Sequence, residues 1–339
     1  MSACILGIES SCDDTSAAIL CDGKICSNII NTQLIHKNYG GVVPELASRA
    51  HQQNILPVVK EALHISGIKM SDINAIAFTK GPGLLGSLLV GSSFAKGLSV
   101  ATDIPVIGVN HLHGHIFTHF LREQNDKDFV PVFPFLCLLV SGGHTQIIII
   151  KNYFEFEIIG TTIDDAAGEA FDKCAKVLGL GYPGGQVIDK LAENGNSARF
   201  KFNKPKVSGL DYSFSGIKTS FLYYIRDQLK SDQNFIQDNL CDLCASIQSV
   251  IVDILIEKLI LAVKMTGINE ISLSGGVSAN SCLRNRLTEI GKDKNWQIYL
   301  PKSKYSTDNA AMVALVGYFY FMMEKTDTLD VIPQARLVF

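Results

Sequence analysis

Three short apolar runs open the chain, Ile5 to Ile8, Ala17 to Cys21 and Ile25 to Ile30, and each reads as a strand. The polar stretch Glu9 to Ser16 separates the first two, and Asp22-Gly23 separates the next two. Asp-Gly between apolar runs is a strong hairpin signal. The same order returns in the second half: Phe135 to Val140, Gln146 to Lys151 and Phe154 to Ile159, divided by Ser141 to Thr145 and by Asn152-Tyr153. Little residue identity links the two stretches, so the pattern itself suggests a duplicated unit.

Helical spacing fills the intervals. Glu45 to Ile65 carries Leu46, Ala50, Ile55, Val58 and Leu63, with Pro57 expected to kink or divide it. Ile73 to Phe78 is a strand followed by a helix to about Ala101, and Ile104 to Val109 is a buried strand. A helix is expected from Asp164, whose acidic neighbours suit a positive dipole end, to Gly179. Asp238 to Met265 is a long helix, Glu270 to Leu273 a strand, and a helix begins at about Leu283. The apolar run Ala310 to Met323 is only about two-thirds of the ~20 residues a membrane span needs. Met1 to Cys4 carry no basic segment, and Glu9, Asp13 and Asp14 follow too soon for a signal peptide. A cytoplasmic protein without membrane contact is expected.

Length and composition narrow this further. A chain of 339 residues, 47% hydrophobic and 19% charged, suits two well-buried domains. The charged connector Asp126 to Asp128 marks the boundary: residues 1–128, with 305–339 returning to them, and residues 129–304. The net charge of -3 means that any nucleic acid is met through a local patch or with a partner's help. Phe200 to Phe214 mixes Lys201, Lys204 and Lys206 with aromatics, and is either a solvated loop or a surface for a phosphate backbone. Nine scattered cysteines suit a reducing compartment, not a disulfide framework, with Cys241 and Cys244 simply packed.

The candidate chemistry centres on Asn110-His111-Leu112-His113-Gly114-His115. His111 and His115 share a helix face at the carboxyl end of a strand. They are either ligands for one metal ion or ordinary polar residues at a helix start. Lys80 to Ser87 is a glycine-rich loop that either binds an anion or allows close packing, and it lacks a P-loop ending. Glu9 to Ser16, Ser141 to Thr145 and Ser274 to Asn280 are small polar loops that each follow a short apolar strand. This arrangement resembles the α/β actin/Hsp70/sugar-kinase (ASKHA) fold: two duplicated RNase H-like lobes with a nucleotide in a central cleft.

More specific is an ordered set of motifs. Gly7-Ile-Glu-Ser-Ser-Cys-Asp-Asp-Thr15, Gly40-Gly-Val-Val-Pro-Glu-Leu-Ala-Ser-Arg49, Gly81-Pro-Gly83, His111-x-x-x-His115 and Leu139-Val-Ser-Gly-Gly-His-Thr145 come first. Asp164-Asp-Ala-Ala-Gly-Glu-Ala-Phe-Asp-Lys173, Tyr182-Pro-Gly-Gly185, Phe214-Ser-Gly-Ile-Lys218, Ser274-Gly-Gly-Val-Ser-Ala-Asn280 and Thr307-Asp-Asn309 follow. Together they closely resemble the bacterial TsaD family, formerly described as O-sialoglycoprotein endopeptidases.

The resemblance implies a tRNA N6-adenosine threonylcarbamoyltransferase. Such enzymes move a threonylcarbamoyl group from threonylcarbamoyl-AMP to the adenosine 3' to the anticodon, in tRNAs reading codons that begin with A. The implied ligands of a divalent metal, iron or alternatively zinc, are His111, His115 and Asp308. Leu139, Val140, Ser141, Gly142, Gly143, Asp172, Gly185, Asp189 and Asn280 are the implied substrate-binding residues. Asp13 and Asp14 are candidates for taking the amine proton. Implied partners are TsaB, paired through the first lobe, TsaE with ATP consumed by the complex, TsaC or its larger homologue as donor source, and tRNA. Two positions depart from the family pattern: His113 and Asp14 stand where many bacterial members have Glu. A metallopeptidase of the H-E-x-x-H kind would need Glu at Leu112. A sugar-kinase-like phosphotransferase would need no histidine pair.

Overall fold

A computed structural model describes residues 3–123 and 129–338. Met1, Ser2 and the connector Asp126 to Asp128 lie outside the described residues. The chain forms two compact units, Met1–Val130 with Lys302–Phe339, and Pro131–Pro301.

The first unit begins with strands β1 (Cys4–Glu9), β2 (Asp14–Cys21) and β3 (Lys24–Thr32). Asp22 and Gly23 both take positive φ, 50° and 74°, as the expected hairpin turn requires. Helix α1 (Pro44–Ser66), strand β4 (Ala75–Gly81), helix α2 (Leu85–Thr102), strand β5 (Val106–Asn110) and helix α3 (His111–Phe117) follow. The sheet order is β3-β2-β1-β4-β5, with β1, β4 and β5 parallel. Helices α1 and α2 cover one face. The last helix of the chain, α9 (Ala310–Met322), covers the other. It lies so close that a Cβ at Gly7 would stand 2.4 Å from the Ala310 carbonyl.

The second unit repeats the plan. Strands β6 (Phe135–Val140), β7 (Thr145–Asn152) and β8 (Glu155–Thr161) lead into helices α4 (Ala167–Val177), α5 (Gly184–Ala192), α6 (Ser215–Ser231) and α7 (Phe235–Thr266). Strand β9 (Glu270–Ser274), helix α8 (Ser281–Lys294) and strand β10 (Gln297–Tyr299) complete it. The order β10-β9-β6-β7-β8 is the first sheet's order with each strand replaced by its counterpart. Among the described residues, no helix is long and apolar enough to cross a membrane.

Several expectations need correction. Pro57 does not divide α1, because the Gln53 carbonyl it leaves without a donor is on an exposed face. The helix expected from Asp164 starts at Ala167. The Asp164 carboxylate instead accepts from Phe214 N at 2.7 Å and from the hydroxyls of Ser213 and Ser215, holding the chain there as a loop. Cys4 and Cys21 form a disulfide. They face one another in the β1–β2 ladder, where the Asp22 N to Ala3 O bond makes theirs the narrow, non-hydrogen-bonded pair with a Cα–Cα distance of 4.1 Å. The Phe200 to Phe214 stretch is a loop whose aromatics point inward, Tyr212 and Phe214 being fully buried, while Lys204 pairs with Asp253 and Glu257.

Candidate functional site

In the first unit, three chain segments meet at the carboxyl ends of β1 and β5. Asn110 ends β5 and caps α3, its side chain accepting from Leu112 N at 2.9 Å. That cap fixes where α3 starts and sets His111 and His115 on one face. Asn309 caps α9 through Met312 N, while Ser16 and Asn28 take the N–H groups of Ala310 and Ala311. Strands β2 and β3 thus hold the start of α9, and Asp308, just before it, comes to the histidines. Asp308 Oδ1 is 3.4 Å from His111 Nε2 and 3.2 Å from His115 Nε2. The three ligand atoms lie within 4.8 Å of one another.

Glu9 orients this set. Its side chain is fully buried, and Oε2 lies 3.0 Å from His111 Nδ1. Thr79 donates to the same oxygen at 2.7 Å, and Ser11 N bonds the other. A carboxylate on Nδ1 fixes the proton there and leaves Nε2 as a lone pair. In the neutral ring that lone pair would face a carboxylate oxygen, so either a second proton on the ring or a cation between the two atoms must join them. The charges of Asp308 and Glu9 outweigh burial and raise the His111 pKa well above its ordinary value. Burial would raise Glu9, but the charge and hydrogen bond of His111 outweigh it and lower its pKa. Asp308 is likewise held well below the usual carboxylate range, burial being outweighed by the two histidines. A metal with bonds of about 2.1 Å holds neighbouring ligand atoms about 3–4 Å apart, and the two separations from Asp308 match. The donor set fits a divalent metal.

Over residues 24–315 the chain matches the family model described as TsaD: tRNA N6-adenosine threonylcarbamoyltransferase. The chain belongs to the TsaD family. A relative from Porphyromonas gingivalis named tRNA N6-adenosine threonylcarbamoyltransferase is 57% identical over 98% of each chain. Members of the TsaD family are transferases that modify tRNA, and this chain is one of them. Of solved structures, HypF from T. kodakarensis is similar with a TM-score of 0.62 at 13% identity, covering 98% of this chain and 50% of that one. The chain therefore spans about half the length of HypF. The Clostridium difficile activator of 2-hydroxyisocaproyl-CoA dehydratase gives 0.50 at 14% identity, covering 97% of this chain and 99% of that one. At such identities the likeness shows the fold, the ASKHA fold.

The remaining TsaD-like positions divide by unit. Asp13 and Asp14 flank the entry to β2 in the first. Burial lifts the Asp14 carboxyl to about 7, Thr32 opposing and the charges of Asp308, Asp13 and Glu9 adding. Among the described residues, its Oδ1 has no hydrogen-bond partner. His113 is turned toward α9, 3.4 Å from the Tyr320 hydroxyl, and burial drops its pKa to about 3.

In the second unit Leu139 and Val140 end β6, and Ser141, Gly142 and Gly143 turn into β7. A Cβ added at Gly142 or Gly143 would meet nothing within 4 Å. Gly168 lets α4 begin against this turn, since a Cβ there would stand 2.6 Å from the Ser141 carbonyl. Asp172 accepts from Gly184 N at 2.8 Å and Gly185 N at 3.2 Å, and burial raises its pKa against those bonds. Asp189 accepts from Ser281 N and Oγ, while Asn280 caps α8 and donates to Gln248. These last two brace the start of α8. The Gly81 to Gly83 loop is built for packing: Gly83 N bonds Ala335 O, Leu84 N bonds Ser11 O, and a Cβ at Gly81 would stand 2.0 Å from Gln334 O.

In the sequence Glu9 is a carboxylate at a strand end, and its hold on His111 emerges only in the fold. A carboxylate at a strand end, followed by small polar residues, was the available signal.

Proposed function

We propose that this chain transfers threonylcarbamoyl from threonylcarbamoyl-AMP to N6 of the adenosine 3' to the anticodon, with His111, His115 and Asp308 holding an iron ion. The observation that supports it most is the approach of both Nε2 atoms to one Asp308 oxygen, with Glu9 behind His111. Two imidazoles and one carboxylate with open positions form an iron-type set. Such a cation, when bound, orients the donor's carboxylate and polarises its carbonyl.

The amine is a weak nucleophile, since its lone pair is delocalised into the ring. It attacks the carbamoyl carbon, the bond from that carbon to the phosphate oxygen breaks, and AMP leaves with the electron pair. Asp14, its carboxyl near 7, takes the N6 proton, with Asp13 as neighbour. The exposed backbone of Gly142 and Gly143, in the turn that Ser141 N closes on His144 O, receives the AMP phosphate, with the N-terminus of α4 against it. Asp172 and Gly185 hold the ribose. Asp189 and Asn280 act on the nucleotide through the start of α8. Leu112 stands where a peptidase of the H-E-x-x-H type needs Glu, and it is buried.

TsaB docks on the α1–α2 face, where Leu85 and Leu89 are exposed and a groove of ≈ 580 Å³ is lined by Arg49, Gln52 and Phe94. TsaE supplies ATP turnover, and TsaC or its larger homologue supplies the donor in the cytoplasm. The test combines the purified chain with TsaB, TsaE, ATP, threonylcarbamoyl-AMP and unmodified tRNA. Mass spectrometry of digested nucleosides then reports threonylcarbamoyladenosine. Product that disappears in His111→Ala/His115→Ala is expected. Product in both runs would remove the metal role, and none in either would remove the reaction.

A further inference from the structure

His51 lies within α1, and its neighbour Gln52 is exposed, yet the His51 side chain is fully buried. Its Nε2 is 2.9 Å from the Cys12 carbonyl, and its Nδ1 is 2.8 Å from the Thr15 hydroxyl. A carbonyl only accepts, so Nε2 carries the proton. The Nδ1 of the neutral ring then accepts, and Thr15 donates. Burial lowers the imidazole pKa below its ordinary value, which keeps this tautomer in place.

The two partners are three residues apart, and the residues between them are Asp13 and Asp14. Asp14 and Thr15 open β2 and pair with Thr32 and Asn31 of β3, while Ser87 Oγ reaches Cys12 O at 3.4 Å and Gln33 N bonds Asp13 O at 3.1 Å. His51 holds both sides of the pair.

We propose that His51 is a positioning residue for the transfer reaction, bracketing Asp13-Asp14 by binding the carbonyl before the pair and the hydroxyl after it. This rests on the reading of that pair given under the proposed function. The chemical requirement is a carboxylate at a fixed place beside the N6 amine. A buried ring bonded on both sides of the two aspartates supplies that constraint from a helix, which is stiffer than the turn itself.

The reconstituted reaction tests it with His51→Gln, His51→Asn, Asp13→Asn and Asp14→Asn, measuring kcat and KM separately. The Gln amide reaches the place of Nε2 and still donates to Cys12 O, whereas the shorter Asn amide reaches only the place of Nδ1, where it meets Thr15 and leaves the buried Cys12 carbonyl unpaired. His51→Asn is expected to lower kcat about 100-fold, with KM for threonylcarbamoyl-AMP within about threefold. His51→Gln is expected to recover kcat to within about fivefold of the parent. Combined with Asp14→Asn, His51→Asn should add little further loss. Equal losses in the Gln and Asn variants, a loss confined to KM, or full additivity with Asp14→Asn would overturn the proposal. Should His51→Asn not fold, Thr15→Val removes one of the two bonds isosterically. It is expected to lower kcat about tenfold, and an unchanged kcat would overturn the proposal. Aspartate variants that lose kcat while His51→Asn keeps it remove the proposal alone. Aspartate variants that both keep kcat remove the carboxylate reading and the proposal with it.

Discussion

The two sheets share one strand order and put opposite chemistry on the same turn. Between β1 and β2 the turn is side chains: Glu9 behind it, Ser11 and Asp13 within it, and Asp14 at its exit. Between β6 and β7 it is backbone, with Gly142 and Gly143 exposed and nothing within reach of an added Cβ. The first turn is braced by Thr79, His51, Ser87, Leu84 and Gln33. A duplicated fold can thus keep its ladder and diverge at the turn, one copy presenting charge and the other presenting N–H groups. The first needs side chains fixed in angle, so it needs buried partners. The second needs open space.

The sharpest way to break this contrast lies beside the charged turn, at the histidine pair of α3. His115→Ala removes a proposed metal ligand, a side chain 2% exposed and 3.2 Å from Asp308. Transfer activity should fall by about 10³-fold or more, roughly 4 kcal/mol of transition-state stabilisation. Nucleoside mass spectrometry reads the loss, and metal content measured on the same sample should fall with it. Activity within about tenfold of the parent would sink the metal reading.

Next in size is Gly83→Ala. The new Cβ would stand 2.6 Å from Ser11 O, a backbone atom that cannot swing away. The expected cost is about 2–3 kcal/mol of stability, read by urea denaturation. Glu9→Gln should follow. The amide keeps the shape but weakens the hold on His111 Nδ1, and metal affinity should drop about 10–100-fold in a competition titration. An unchanged affinity would show that Glu9 serves folding only.

Asp14 titrates in a range that separates the two turns further. Below about pH 4 both folded and unfolded chains hold its proton. As pH rises toward 7 the unfolded chain releases it while the folded chain, with its carboxyl near 7, keeps it. Stability therefore falls with pH across that window, by about 1–2 kcal/mol after allowance for partial exposure. Asp14→Asn should flatten that slope in thermal melts. Transfer by the parent should rise with pH through about 7, where a base becomes available, and the variant should lose that rise.

How much of this could be read beforehand depends on range. The strands and the Asp22-Gly23 turn are local patterns, and His111 with His115 is a local spacing after a buried run. Asp308 could be placed only through family resemblance, because its approach depends on α9 returning to the first sheet. Glu9 is a strand-end carboxylate whose meaning lies in a contact with His111, 102 residues away. Pro57, Asp164 and the Cys4–Cys21 pair failed for one reason: each outcome is decided by a distant or cross-strand neighbour that no local rule contains. His51 is hidden on the same ground, as one histidine on a helix whose partners lie on another segment.

The smallest expected change is the one that isolates the open turn. At Gly142 an alanine Cβ meets nothing within 4 Å, and no positive φ is required there. Gly142→Ala should therefore alter stability by no more than about 0.5 kcal/mol, in contrast to Gly83→Ala. Its effect should appear in binding instead: a methyl on the exposed turn obstructs an approaching phosphate, and KM for threonylcarbamoyl-AMP should rise about tenfold while kcat holds. A KM that does not move would mean the glycines of this turn serve something other than the donor. The backbone half of the comparison would then fall, although the charged half would stand.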